Sequence, residues 1–117
     1  MPRRRTPDPL AVLVGARIRT LRKEQGLTLE KLAYESELGS KGYLSDIESG
    51  RALPTLRTLK VLADHLGLEL LDLVTFPEGG ERSALVDRTR SASAEQIRRC
   101  MDQLPAAPRR TGSRRRS

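Results

Sequence analysis

The stretch Glu37–Gly50, "ELGSKGYLSDIESG", decides how this chain is read. Tyr43, Leu44 and Ile47 fall at helical steps, yet glycines stand at positions 39, 42 and 50. A glycine inside a helix costs roughly 1 kcal/mol relative to alanine. The stretch therefore reads as a short helix from Ser40 to Glu48 with the glycines at its edges. Gly39 lies in the turn before it, Gly42 near its start, and Gly50 stops it.

Upstream, Thr28 is placed to cap a second short helix that fades near Ser36, and Leu27 and Leu32 have the spacing of a hydrophobic staple across that cap. Leu29, Leu32 and Ala33 are its expected inward residues. Two short helices joined by a tight turn form a helix-turn-helix when a small residue sits where they cross, and Ala33 is that residue. Leu29–Glu48 is then the motif, with Ser40–Glu48 as the element for the major groove of DNA.

Further out, "DPLAVLVGARIRTLRKEQG" (Asp8–Gly26) reads as a helix capped by Asp8, opened by Pro9 and stopped by Gly26. Leu10, Leu13, Val14, Ile18 and Leu21 give it one apolar face. Downstream, a helix capped by Thr55 is expected to bury Leu56, Leu59, Leu62, Ala63 and Leu66 before stopping at Gly67. A short fifth helix covers about Glu69 to Val74. No stretch alternates as a strand. The expected fold is all-α: a compact five-helix domain over residues 9–76, a helical extension over 77–104, a flexible basic arm at 1–8, and a disordered Arg-rich tail at 105–117. In the extension, "RSALVDRTR" is a candidate helix. Ser93 and Gln96 stand at capping-box spacing, and Ile97, Met101 and Leu104 form one stripe, a candidate dimer or partner surface.

The net charge of +7 on 117 residues lies entirely at the two ends. Arg3, Arg4 and Arg5 outweigh Asp8, and Arg109, Arg110, Arg114, Arg115 and Arg116 are unopposed, so residues 10–108 balance at 14 basic and 14 acidic. The arginine ends suit diffuse phosphate contact, whereas any DNA-facing surface on the body must come from local arrangement. Tyr34, Tyr43 and Phe76 are the only aromatic residues, too few for a platform that stacks bases. Cys100 is the single cysteine, so no internal disulfide can form, and His65 has no Cys or second His partner for a metal. There is no long apolar run and no apolar N-terminal segment. A reducing, cytoplasmic setting is expected. No nucleophile–histidine pair, metal-ligand spacing or phosphate-cradling glycine loop is present, so neither an enzyme nor a cofactor is expected.

The strings "GLTLEKLAYESE", "GARIRTLRKEQGLT" and "GYLSDIESGRALPTLRTL" resemble the Cro/repressor-type helix-turn-helix family, often called XRE-like. The resemblance covers about residues 10–75. It implies a five-helix fold that binds DNA operators, usually as a symmetric dimer, in a bacterial or phage-type, nucleoid-associated setting. By position it implies that Ser40, Lys41, Gly42, Ser45 and Asp46 present to bases. Arg22 and Glu48 would tie the first helix to the end of the third, and Gly50 and Arg51 would lie in a phosphate-facing loop. Thr28 caps the helix whose N-terminal amides could meet a phosphate, and Tyr43 is expected to pack against the motif, with a hydroxyl that could reach a phosphate. Two departures stand out. Leu29 occupies a position usually polar, often glutamine, and the turn "SELGS" is one residue longer than usual, with Gly39 as the extra residue.

The resulting expectation is a sequence-specific, homodimeric transcriptional repressor. The alternatives are an antitoxin that folds residues 80–104 on a toxin and autoregulates its operon, and an architectural nucleic-acid binder relying on its arginine ends.

Overall fold

A computed structural model describes residues 7–108. The tail arginines at positions 3–5 and 109–116 lie outside the described residues. Among them all regular structure is helical, with seven α-helices: α1 (Pro9–Glu24), α2 (Leu29–Glu35), α3 (Lys41–Glu48), α4 (Leu56–Leu66), α5 (Leu70–Leu73), α6 (Glu81–Arg88) and α7 (Ala94–Asp102). Single 3-10 turns at Pro77–Gly79 and Thr89–Ser91 bracket α6. The sequence reading did not anticipate them.

The helix boundaries follow from side chains that satisfy orphan backbone donors. Asp8 accepts from the Leu10 amide, Thr28 from Lys31, Ser40 from Tyr43, and Thr55 from Thr58. Ser93 and Gln96 close a reciprocal capping box at α7. The core joins α1 to α5: Val14, Ile18, Leu21, Leu32, Ala33, Leu44, Ile47, Leu59, Leu62, Ala63, Leu66 and Leu73 form one buried cluster. Leu29 and Tyr43 are half-buried against it.

Three expected core leucines lie elsewhere. In α1 the buried stripe runs through Ala11, Val14, Gly15, Ile18, Leu21 and Arg22, which leaves Leu10 and Leu13 half-exposed on its flank. Leu56 is 72% exposed because it opens α4, one turn before the stripe of Leu59, Leu62, Ala63 and Leu66 meets the core.

Gly15 sets how closely α1 and α3 approach. A Cβ there would overlap the Ile47 carbonyl oxygen and come within 2.8 Å of that of Glu48. Gly50, at φ +82°, lies just past the same end of α3, where a Cβ would stand 2.8 Å from the Val12 side chain. Gly15 lets two backbones pack with no side chain between them, and Gly50 leaves room for Val12, close approaches that a Cβ would block.

Candidate nucleic-acid interface

α3 is held from behind and presents its other side outward. Leu44 and Ile47 are fully buried, while Lys41 and Gly42 are exposed and Ser45 and Asp46 partly so. Ala33 is buried at the α2–α3 crossing. A larger side chain there would lever the two helices apart.

The orientation of α3 is fixed by an ion pair at its C-terminal end. The Arg22 guanidinium donates from Nε to Glu48 Oε2 at 2.7 Å and from Nη2 to Glu48 Oε1 at 2.9 Å. Its Nη1 donates to the Leu27 carbonyl at 2.8 Å, tying in the turn before α2. Hydrogen bonding to Glu48 outweighs burial and raises the Arg22 pKa further, so the guanidinium keeps its charge in this setting.

The turn into α3 is reshaped by two left-handed residues, Glu37 at φ 58° and Gly39 at φ 92°. For Gly39 that conformation carries no steric cost. Gly42 has ordinary backbone angles, and a Cβ there would meet nothing closer than the Ser40 hydroxyl at 3.8 Å. Nothing in the folded domain requires glycine at that position.

Charges on α3 are matched locally. The Lys41 ammonium lies 2.9 Å from Glu30 and holds that carboxylate below its ordinary range, with both groups well exposed. Asp46 faces Arg51 at 3.3 Å and accepts on its carbonyl oxygen from the Arg51 and Ala52 amides at 2.9 and 3.2 Å. The acid on this helix thus holds the following loop and offsets its cation. With Glu48 paired to Arg22, the exposed side of α3 is polar but close to neutral. Beside it Arg19 makes no ion pair among the described residues.

The structure also brings together groups that sequence reasoning missed. Arg17, buried in α1, donates to the Asp72 carbonyl at 2.8 Å and to Asp87 of α6 at 2.7 Å. Asp87 also accepts from Arg90 at 2.8 Å, and Arg90 reaches Glu24 of α1 at 3.1 Å. An ionic clasp therefore lays the start of the C-terminal segment along α1. An arginine on the α1 apolar stripe was the available signal, but its partner lies 70 residues away. Beyond the clasp, Ile97 of α7 is half-buried, while Met101 and Leu104 stay exposed.

No group of three or more His, Cys, Asp or Glu residues among those described is placed to hold a metal ion. No helix among them is long and apolar enough to cross a membrane.

Comparison with known proteins points the same way. The family model described as "Helix-turn-helix domain" matches residues 13–74, which contain α2, the turn and α3 entire. The uncharacterized HTH-type transcriptional regulator y4dJ of Sinorhizobium fredii is 46% identical over 63 residues, covering 54% of this chain and 80% of that protein. The immunity repressor protein of Bacillus phage phi105 is 44% identical over 61 residues, covering 52% of this chain and 42% of the repressor. The chain therefore spans most of the first relative and less than half of the second. The crystal structure of the clp gene regulator ClgR from C. glutamicum superposes with a TM-score of 0.55 at 32% identity, over 61% of this chain and 90% of that one.

Proposed function

This chain belongs to the helix-turn-helix domain family, and on that premise we propose that it is a sequence-specific DNA-binding transcriptional regulator acting as a homodimeric repressor. The observation that carries the reading is the anchored α3. Its buried side is locked by Leu44, Ile47 and the Arg22–Glu48 pair, while Ser40, Lys41, Gly42, Ser45 and Asp46 stand on its outer side. In the bound state α3 enters the major groove and those residues meet base edges, with Thr28, Tyr43 and Arg51 toward the backbone. A two-fold dimer places its half-sites about one helical turn apart, roughly 34–36 Å. The arginines at 3–5 and 109–116 add affinity through counterion release. A cytoplasmic, nucleoid-associated location follows from this role, and the relatives named as a regulator and a phage repressor support it.

Selection of duplexes from a random pool, with the mass of free and bound protein measured in solution, tests the reading. The expected result is an enriched, two-fold symmetric site bound by two chains. Recovery of no preferred sequence at moderate salt would favour an architectural binder.

A second reading rests on α7. Its exposed Met101, with Leu104 two residues past its end, offers an apolar stripe to a protein partner, as an antitoxin would offer residues 80–104 to its toxin. A small protein that co-purifies with the full chain and is lost from a Met101→Asp variant would support it.

A further inference from the structure

Where α1, α2 and α3 meet, a shallow depression of about 180 Å³ is lined by Arg19, Arg22, Leu29, Ser45, Glu48 and Ser49. It adjoins the outer side of α3, because Ser45 belongs to both. Its charges are unequal in what they can still do. Arg22 and Glu48 neutralise each other through two short hydrogen bonds. Arg19 is exposed and makes no ion pair among the described residues, so it is the one uncompensated charge in this lining. The Ser45 hydroxyl makes no hydrogen bond within the described structure, while that of Ser49 donates to the Asp46 carbonyl at 3.2 Å. Leu29 contributes an apolar wall with no donor. A cation and a free hydroxyl beside a neutralised ion pair suit a single, partly desolvated anion.

We infer that this depression binds one phosphodiester of the DNA backbone, with Arg19 supplying the charge and Ser45 a neutral hydrogen bond. The assignment rests on the DNA-binding reading above and adds to it a residue, Arg19, on the helix that precedes the motif. Its role is positional. A phosphate held beside the α1–α3 junction fixes how far α3 enters the groove and carries no base information. Lys41 and Arg51 are compensated by Glu30 and Asp46, so they are less available for this task than Arg19.

The test compares the full-length chain with Arg19→Ala, Arg19→Lys and Arg82→Ala, each titrated at several salt concentrations with a selected duplex and a random one. Arg82 lies exposed on α6, is no part of the lining, and controls for general loss of charge. For Arg19→Ala the expected result is a loss of about tenfold on both duplexes. The slope of log affinity against log salt should also become shallower by about 0.9, one phosphate contact fewer. Arg19→Lys should keep most of the slope, and Arg82→Ala should keep all of it. Unfolding of Arg19→Ala should match that of the parent chain, since no ion pair is lost. A slope unchanged by Arg19→Ala, an equal change from Arg82→Ala, or a loss confined to the selected duplex would each overturn the assignment. Failure of the parent chain to prefer any duplex would instead sink the regulator reading. The salt slopes on random DNA would still decide the role of Arg19.

Discussion

Arg22 and Glu48 are joined by two hydrogen bonds of 2.7 and 2.9 Å, and this pair couples the last turn of α1 to the last residue of α3. Both side chains are less than one-tenth exposed. Each charge depends on the other for its compensation, so losing one partner leaves the other buried and unpaired. Glu48→Ala should destabilise the domain by about 3 kcal/mol. Denaturant unfolding measures it, and a cost below about 1 kcal/mol would mean that Arg22 finds another acceptor.

Gly15 gives a prediction whose sign depends on the tertiary structure. In an isolated helix, Gly→Ala would stabilise by up to about 1 kcal/mol. Here the added methyl meets the Ile47 and Glu48 carbonyls, which are backbone and cannot rotate away. Gly15→Ala should therefore destabilise by about 1–3 kcal/mol through overpacking and displace α3. A variant with a higher unfolding midpoint would show that α1 and α3 separate more readily than this packing implies.

Asp87 makes the clasp pH-dependent. Burial disfavours its charged form, but hydrogen bonds and charge from Arg17 and Arg90 outweigh that and hold its pKa below the ordinary carboxylate value. The unfolded chain, titrating near ~3.9, binds that proton more readily than the folded one. The stability the group contributes is complete above that value and is lost as pH falls through the lowered folded value. Asp87→Asn should thus lower the unfolding midpoint at neutral pH, and the gap from the parent chain should shrink below about pH 4. A gap that stays constant into strong acid would assign the difference to packing.

Lys41 separates base recognition from surface charge. Its pair with Glu30 is exposed on both sides and screened by solvent, so Lys41→Ala should fold normally. If Lys41 reads a base, the variant should lose about 1–3 kcal/mol on the selected site and less on random DNA. Competition between the two duplexes reports this, and an unchanged ratio would reduce Lys41 to a surface charge.

The sequence by itself determined every element whose cause is local. Caps at Asp8, Thr28, Ser40, Thr55 and Ser93 announce helix starts because a short polar side chain next to the first turn satisfies its orphan amides. The glycines around α3 mark its edges, and the apolar spacing of α4 identifies its stripe from Leu59 onward. The sequence also suggested the Arg22–Glu48 tie, through resemblance. Only the tertiary structure decided what depends on contacts distant in sequence. Leu56 and Leu10 look like core residues by period but lie beyond or beside the stripe that meets a partner helix. Gly15 reads as a flaw in α1 until the α3 backbone is seen against it. Arg17 and Asp87, 70 residues apart, become neighbours only when the chain turns back past α5. Arg19 looks like one more surface arginine, and it stands out only because Arg22, Lys41 and Arg51 are each paired with a carboxylate. Local hydrogen bonding and helical period act within a few residues and are written in the sequence. Close packing and charge compensation act between surfaces that exist only once the chain has folded.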